Sequence, residues 1–204
     1  MSIILVRHGA TALNLARVLQ PADTPLNAAG LSQAHAVARE LAGLGPAGVI
    51  SSDLPRAIRT AEVIAVACGS TVETSHLLQE RNFGELRGRA FESLGFDPLT
   101  MTLAPPGGES SEAFEHRVAL AFAMLVDRRA ELSGPLVVVT HGLVMRAMLA
   151  RHAGVAADRL AATLFGNTAV TLLGASPPHN VAMLNSLRHL GPQLQQDVGG
   201  LVGG

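Results

Sequence analysis

The sequence predicts an α/β fold: a three-layer sandwich in which a mostly parallel central sheet is flanked by helices. Two observations lead to this prediction. Short apolar runs of strand length alternate along the chain with segments whose apolar residues recur at helical spacing. In addition, no internal repeat and no linker divides the 204 residues, so we expect one domain over residues 1–204.

The first half of the chain alternates three predicted strands with two predicted helices. Residues 3–6 form an apolar run that stops at Arg7, and residues 10–27 are expected to be irregular because prolines interrupt them. Asp53 is predicted to cap a helix that has Pro55 in its first turn. The other predicted elements are a helix over 31–41, strands over 48–51 and 70–74, and a helix end at Gly69.

The second half begins with a long excursion. Residues 80–109, called the excursion below, are rich in Gly, Pro and Arg and lack periodicity, which predicts an irregular path over the surface. A long helix then opens at Ser110 or Ser111. The remaining predictions are strands over 136–140, 169–173 and 181–184, a helix near 143–153, and a weakly structured, Gly- and Gln-rich tail over 190–204.

Composition excludes several partners. Fifteen basic and sixteen acidic residues leave a net charge of −1, so we expect neither a nucleic-acid surface nor a polybasic membrane patch. The apolar runs are far too short to cross a membrane. The single cysteine, Cys68, cannot form an intrachain disulfide and fits a reducing compartment. The expectation is a soluble protein of the cytoplasm.

One motif is misleading. Residues 43–48 match the dinucleotide-binding pattern G-x-G-x-x-G letter for letter. That pattern requires a strand before it and a helix after it, so that the helix N-terminus can bind the pyrophosphate. Here a predicted helix precedes and a predicted strand follows. We therefore interpret this segment as a loop.

A stronger pattern places a histidine and a glycine directly after a strand, and it occurs twice. His8-Gly9 follows the first strand and His141-Gly142 follows the strand over 136–140. Ligands bind at the carboxyl edge of open parallel sheets, so these histidines can share one site. Arg56 follows another strand in the first turn of a helix, where an anion is favoured. Together with Arg7 these residues suit a phosphoryl group, although two unrelated loop histidines among eight stay an alternative at this point.

The chain also resembles the histidine phosphatase superfamily, the phosphoglycerate mutase-like group. The resemblance covers about residues 3–174, in the order of the family's motifs. It is carried by the following segments: Leu5-Val6-Arg7-His8-Gly9-Ala10-Thr11 with Asn14 and Arg17, Ser51-Ser52-Asp53-Leu54-Pro55-Arg56-Ala57, Glu80-Arg81-Asn82-Phe83-Gly84, Pro106-Gly107-Gly108-Glu109-Ser110, and Val139-Thr140-His141-Gly142.

The resemblance implies a role for each matched residue. His8 would attack phosphorus and form a phosphohistidine, while Glu80 would protonate the leaving oxygen. Neither a metal nor a cofactor is implied. The residues implied to hold the phosphoryl oxygens are Arg7, Arg56 and His141, and those implied to help bind the substrate are Asn14, Gln20, Gly142 and Leu143.

The expected activity is metal-independent hydrolysis of a small phosphomonoester. A phosphoglycerate mutase is the first alternative, but a mutase must hold a second anionic group, and this chain has no lysine and has few cations between Arg89 and Arg117. A non-catalytic phosphate-recognising module is the second alternative. The sequence leaves the oligomeric state open, a homodimer included.

Overall fold

The computed structural model describes residues 2–192 and residue 194, in which one sheet of six strands lies between helices. The strands are β1 (Ser2–Arg7), β2 (Gly48–Ser52), β3 (Val72–Ser75), β4 (Leu136–Thr140), β5 (Val170–Gly174) and β6 (Val181–Ser186). The helices are α1 (Ala12–Leu15), α2 (Ala28–Ala42), α3 (Pro55–Cys68), α4 (Ser111–Ala130), α5 (Gly142–His152) and α6 (Ala157–Ala162).

The strand order is β3-β2-β4-β1-β5-β6. The first four strands of this order are parallel, and β5 and β6 run antiparallel to their neighbours. The predicted α/β fold with a mostly parallel sheet is therefore confirmed. In the central pair, Arg7 of β1 lies opposite Thr140 of β4. This register places the residues that follow, His8 and His141, side by side at one edge of the sheet.

Both faces of β1 are buried, which explains its continuous apolar run. Ile3 and Leu5 pack in one core with residues of α4 and α5. Ile4 and Val6 point to the opposite face and pack in a second core with residues of α2 and α3. The alternation follows from the two-residue period of a strand. The central strand is thus clamped between helical layers, and its carboxyl end is a rigid base for the loop beyond it.

The excursion is irregular, as predicted, but it has a core of its own. It contains short 3-10 turns rather than longer helices. Leu94 and Phe83 are buried against Leu19, and the partly buried Leu143 packs against this cluster. Because Leu143 belongs to α5, this small core fixes the excursion over the edge of the sheet where His8 and His141 lie.

Two sequence predictions need correction, and one helix was not predicted. Asp53 does not cap α3: the N-cap is Leu54, without a side-chain hydrogen bond, and Asp53 Oδ1 instead accepts from Gln79 Nε2 at 2.7 Å. Pro55 at the first helical position lacks an N–H, which reduces the need for a cap. Residues 10–27 are not wholly irregular, because Thr11 and Asn14 form a capping box that starts the short helix α1. Helix α6 was not predicted.

The other predictions agree with the structure to within a few residues at element ends. Gly69 ends α3 in the left-handed conformation, with φ 65°. Residues 43–47 form the loop between α2 and β2, as predicted. The prediction for the tail lies largely outside the described residues. No helix of the described part combines the length and hydropathy needed to span a bilayer.

A glycine pair seats the loop after β1 on α2. A Cβ atom on Gly30 would lie 2.0 Å from the carbonyl oxygen of Ala10, and one on Gly9 would lie 2.4 Å from the carbonyl oxygen of Gly30. Ala10 N also donates to Gln33 Oε1 of α2 at 2.9 Å. The backbones touch, so the position of His8 depends on residues without side chains at both contacts.

We predict that Gly30→Ala destabilises the protein, because the added methyl group collides with backbone that cannot move aside. The expected loss in the free energy of unfolding is about 2–3 kcal/mol or more, measured by urea denaturation. Gly43→Ala, at the other end of α2, is the matched control. There a Cβ atom has no heavy atom closer than 3.5 Å and φ is −67°, so stability should be unchanged or slightly higher. Equal effects of the two substitutions would refute the close contact.

Candidate active site

His8 follows β1 directly and is fully buried. Its backbone N–H donates to the carbonyl oxygen of Thr140 at 2.9 Å, which ties it to the adjacent strand β4. Its ring atom Nδ1 lies 2.7 Å from the carbonyl oxygen of Gly9. Because a carbonyl oxygen only accepts, Nδ1 must carry the proton. In the neutral ring the lone pair is then on Nε2, which makes Nε2 the basic and nucleophilic atom.

His141 is the neighbour of His8 across the sheet edge. The two ring centroids are 5.1 Å apart, with 55° between the ring planes. Burial lowers the pKa of His141 well below that of an ordinary histidine, and the charge of Arg56 adds to this effect, so the ring is neutral at pH 7.

Ser52 orients the His141 ring. Its Oγ lies 2.9 Å from His141 Nε2 and already accepts the Leu54 N–H at 3.3 Å. When the Ser52 hydroxyl donates to Nε2, the ring proton sits on Nδ1. That Nδ1 is buried and has no hydrogen-bond partner in the part of the chain that the structure describes. An N–H group in this position is suited to an oxygen of a ligand.

Two buried guanidinium groups lie beside the histidines. Arg7, the last residue of β1, donates from Nη1 to the carbonyl oxygen of Phe165 at 2.6 Å. Arg56, in the first turn of α3, makes long hydrogen bonds, of 3.4 and 3.5 Å, from Nη1 to the carbonyl oxygens of Pro21 and Ala22. Burial lowers the pKa of each guanidinium to about 10, so both stay charged at neutral pH.

Glu80 is the acidic group of the site. Its Oε1 accepts from the backbone N–H of Arg81 at 3.0 Å, and its Oε2 accepts from that of Leu143 at 3.1 Å. Burial raises the pKa of the Glu80 carboxyl above its usual value, and the two N–H groups and the charges of Arg56 and Arg7 offset this only in part. A carboxyl with a raised pKa is suited to proton donation near neutral pH.

An ion pair holds the Glu80 segment in place. Arg117 of α4 binds both carboxylate oxygens of Glu109, at 2.8 and 2.7 Å. The same guanidinium donates to the carbonyl oxygens of Leu77 and Gln79, at 2.9 and 2.8 Å. Glu109 in turn accepts the backbone N–H of Asn82 at 2.8 Å. Backbone on both sides of Glu80 is thus fixed to α4.

The loop after His8 carries further polar groups. Thr11 Oγ donates to Gln20 Oε1 at 3.0 Å, and Asn167 Nδ2 donates to Asn14 Oδ1 at 3.2 Å and to the carbonyl oxygen of His8 at 3.1 Å. Gln20 Nε2 is buried without a hydrogen-bond partner among the described residues. Asn14 and Gln20, both predicted from the sequence, therefore lie on the same loop network as His8.

Gly142 and Leu143 begin α5 directly after His141. The Leu143 N–H is occupied by Glu80, so its backbone acts through that carboxylate. Both residues line a cavity of about 810 Å³ under the excursion. The predicted site residues His8, Arg7, Arg56, Glu80, His141, Asn14, Gln20, Gly142 and Leu143 thus surround one edge of the sheet.

The sequence assigned no role to the residues that position this site, although several of them lie in segments that resemble the family. Ser52 orients His141, Thr60 Oγ accepts the Gly9 N–H at 3.0 Å, and Asn167 joins the loop to His8. Ser52 ends β2, the strand beside β4, and Thr60 lies in α3, the helix that follows; this adjacency and the motif around Ser52 were the available signals. Glu109 lies in the motif over 106–110, but nothing in the sequence marked Arg117 as its partner.

The arrangement fits a tetrahedral dianion. Two buried guanidinium groups and the His141 N–H face a site whose buried carboxyl, Glu80, has a raised pKa. Bidentate arginine geometry matches phosphate oxygens, and a buried excess of positive charge favours an anionic ligand. No group of three or more His, Cys, Asp or Glu side chains within residues 2–192 and 194 is arranged to hold a metal ion.

Comparison with known proteins agrees with this chemistry. The histidine phosphatase superfamily (branch 1) matches residues 3–185. A probable phosphoglycerate mutase, GpmB, of Yersinia pestis is 36% identical over 167 residues, which is 77% of this chain and 77% of that protein. The sequence resemblance to this superfamily is confirmed.

Solved structures with the same fold include phosphatases. Mycobacterial glucosyl-3-phosphoglycerate phosphatase in complex with VO3 is 28% identical, with a TM-score of 0.76, and the match covers 91% of this chain and 97% of that chain. A mutant of phosphoserine phosphatase from Entamoeba histolytica in complex with phosphoserine is 26% identical, with a TM-score of 0.79 and coverage of 93% and 99%.

We predict that inorganic phosphate stabilises the protein, because it neutralises the buried guanidinium groups. At a concentration roughly 100-fold above Kd the stabilisation is about 2.7 kcal/mol, or a rise in Tm of about 5–10 °C for a chain of this size. Arg56→Gln should remove most of this rise in a thermal-shift assay. The matched control is Arg59→Gln, one turn along α3, whose side chain is 57% exposed in an ion pair with Glu62. A full shift in the Arg56 variant would contradict the assignment.

Proposed function

The chain belongs to branch 1 of the histidine phosphatase superfamily, and on this basis we propose that it hydrolyses small phosphomonoesters through a phosphohistidine on His8, without a metal ion. The observation that carries the proposal is the hydrogen bond of 2.7 Å between His8 Nδ1 and the Gly9 carbonyl oxygen. It holds the proton on Nδ1 and leaves Nε2 as the nucleophile, in a buried pocket with two guanidinium groups.

In the first step, the Nε2 lone pair attacks phosphorus in line with the bond to the leaving oxygen. The Nε2–P bond forms as the P–O bond breaks, and the phosphoryl group is transferred to His8. As positive charge develops on the ring, the Gly9 carbonyl oxygen stabilises the Nδ1–H group. Dividing the hydrolysis into two displacements replaces one difficult step by two easier ones.

Arg7, Arg56 and His141 hold the three equatorial oxygens of the transferring group. Phosphoryl transfer depends chiefly on positioning and on stabilising the charge of these oxygens. Both guanidinium groups remain charged at neutral pH because their pKa stays at about 10 in spite of burial. The His141 Nδ1–H adds a neutral donor that was already oriented by Ser52.

Glu80 supplies and removes the proton. In its protonated form it donates to the leaving alcohol oxygen, and as a carboxylate it then accepts a proton from the attacking water. The new P–O bond forms as the Nε2–P bond breaks, which releases phosphate and returns the lone pair to His8 Nε2. The raised pKa of the Glu80 carboxyl favours the protonated form at the start. The backbone before Glu80 is held in position by Arg117, which donates to the carbonyl oxygens of Leu77 and Gln79.

A phosphoglycerate mutase is the second candidate, since the relative in Yersinia pestis carries that name. With 3-phosphoglycerate and catalytic 2,3-bisphosphoglycerate, we expect free phosphate as the main product, because the chain has no lysine, and no arginine between Arg89 and Arg117, to hold the second anionic group that a mutase must bind. Product analysis distinguishes the two candidates. Rapid formation of 2-phosphoglycerate with little free phosphate would favour the mutase.

We predict that His8→Ala lowers kcat/KM for p-nitrophenyl phosphate by several orders of magnitude, because no other group can accept the phosphoryl group. A chelator should leave the wild-type rate unchanged. The control is His116→Ala, which removes an exposed histidine of α4. Activity that disappears with chelator and returns with a divalent metal would overturn the metal-independent mechanism. Phosphate binding without turnover of any substrate would favour the non-catalytic module.

We predict that Glu80→Gln slows alkyl phosphates by about 10²–10⁴-fold and p-nitrophenyl phosphate much less, because a good leaving group needs little protonation. Burial raises the Glu80 pKa, so the protonated acid persists above the usual titration range and is lost as pH rises through the raised value. The wild-type kcat/KM for alkyl phosphates should therefore have an alkaline fall that the variant lacks. Glu85→Gln, on the exposed side of the same segment, is the control. Equal slowing of both substrate types would assign Glu80 a structural role instead.

A further inference from the structure

A cavity of about 810 Å³ lies beneath the excursion and is lined in part by Gly142 and Leu143, which follow His141 directly. One wall is Leu143, whose backbone N–H binds Glu80 Oε2 at 3.1 Å. Another wall is Phe165, whose carbonyl oxygen accepts from Arg7 at 2.6 Å. The cavity is therefore bounded by residues in direct contact with the proton donor and with a phosphate-binding guanidinium. The body of an alcohol protonated by Glu80 would therefore lie next to this cavity.

The walls of this cavity are chiefly apolar, and part of them is exposed to solvent. Phe96 keeps 49% of its surface exposed and Leu164 keeps 55%, although both are large apolar residues. They belong to different parts of the chain, the excursion and the segment after α6, so two independent segments present apolar surface to the same space. The apolar residues that line it are Phe91, Phe96, Leu99, Leu143, Leu164 and Phe165.

The charged residues of the cavity do not favour a second anion. Arg146 is occupied by the carbonyl oxygens of Leu160 and Thr163 and lies over the Phe165 ring. Arg17 lies over a phenylalanine ring, with 6.0 Å from its Cζ to the centroid of Phe91. The acidic side chains in the lining are Glu92 and Asp97. With two guanidinium groups and two carboxylates the lining has no excess of positive charge, and the Arg146 donors are already bound to carbonyl oxygens, so a carboxylate or second phosphate in the leaving alcohol gains little here.

We propose that the substrates of this chain are phosphomonoesters of large, uncharged alcohols with an aliphatic or aromatic body, and that this cavity binds the body. The inference rests on the proposed hydrolase function and adds the substrate class to it. The volume is in the range of pockets that enclose most of a drug-sized molecule. Burial of an apolar body against Phe96 and Leu164 removes solvent from surface that is otherwise exposed.

The test is a series of n-alkyl phosphates from ethyl to octyl, used below their aggregation concentrations. The pKa of the leaving alcohol is nearly constant in this series, so chain length changes burial and leaves the chemistry unchanged. We expect kcat/KM to rise by roughly two- to fourfold for each added methylene group until the cavity is filled. For 3-phosphoglycerate and phosphoserine, kcat/KM should be at least roughly tenfold below that of propyl phosphate.

Substitutions in the cavity lining test whether the dependence of kcat/KM on chain length arises there. Phe96→Ala and Leu164→Ala should lower kcat/KM for octyl phosphate more than for ethyl phosphate, which reduces the slope with chain length. Both side chains are half exposed, so truncation leaves the cores intact. Leu120→Ala is the matched control, because Leu120 of α4 is equally exposed, at 49%, and lies outside the cavity. It should leave the slope unchanged.

Binding separates this inference from the proposed function. The n-alkylphosphonates cannot be hydrolysed, and their affinity, measured by calorimetry, should rise with chain length in the wild-type protein and less in the Phe96 variant. A rise without turnover of any phosphate ester would contradict the hydrolase but support the cavity. Turnover and phosphonate affinity that are both independent of chain length, or a preference for 3-phosphoglycerate over octyl phosphate, would overturn the inference.

Discussion

The site depends on the burial of two guanidinium groups at the carboxyl edge of the sheet. Arg7 and Arg56 are almost completely removed from solvent, and this lowers the pKa of both. Buried charge is costly unless an opposite charge compensates it. The buried carboxylate near them is Glu80, which itself has a raised pKa. An anionic ligand would complete the balance, so under the proposed function the electrostatic cost of burying these groups becomes affinity for a phosphoryl group.

The scaffold keeps this charged site rigid. The pairing of β1 with β4 places the two histidines together, and α2 contacts the loop after β1 through glycines that leave no room for movement. On the other side, Asn167 donates to the His8 carbonyl oxygen, and the following residue, Thr168, has a left-handed backbone with φ 58°. Such a conformation persists only where the surrounding contacts require it. The contact that holds it here is the hydrogen bond from Thr168 N to the Arg7 carbonyl oxygen, at 3.1 Å.

Much of the fold and the principal site residues could be predicted because they follow from local patterns. A buried strand followed by His-Gly can be recognised in the sequence, and because β1 and β4 are parallel neighbours, two such patterns lie at one edge of the sheet. The predicted helix cap at Asp53 was wrong because the carboxylate accepts from Gln79 instead, a partner 26 positions away that no local rule indicates. The roles of Ser52 and Asn167 were not predicted for the same reason, since their contacts with His141 and His8 arise from strand order. The cavity walls come from segments that meet only in the folded chain.

The central claim is that Nε2 of His8 is the nucleophile because Nδ1–H is held by Gly9. The most direct measurement is ³¹P NMR of the phosphoenzyme, trapped in alkali during turnover, with the modified residue located by mass spectrometry. If Nε2 is the nucleophile, there is one phosphohistidine, on His8, with phosphorus bonded to Nε2, and the His8→Ala protein gives no such signal. Phosphorus on Nδ1 of His8, or on His141, would contradict it.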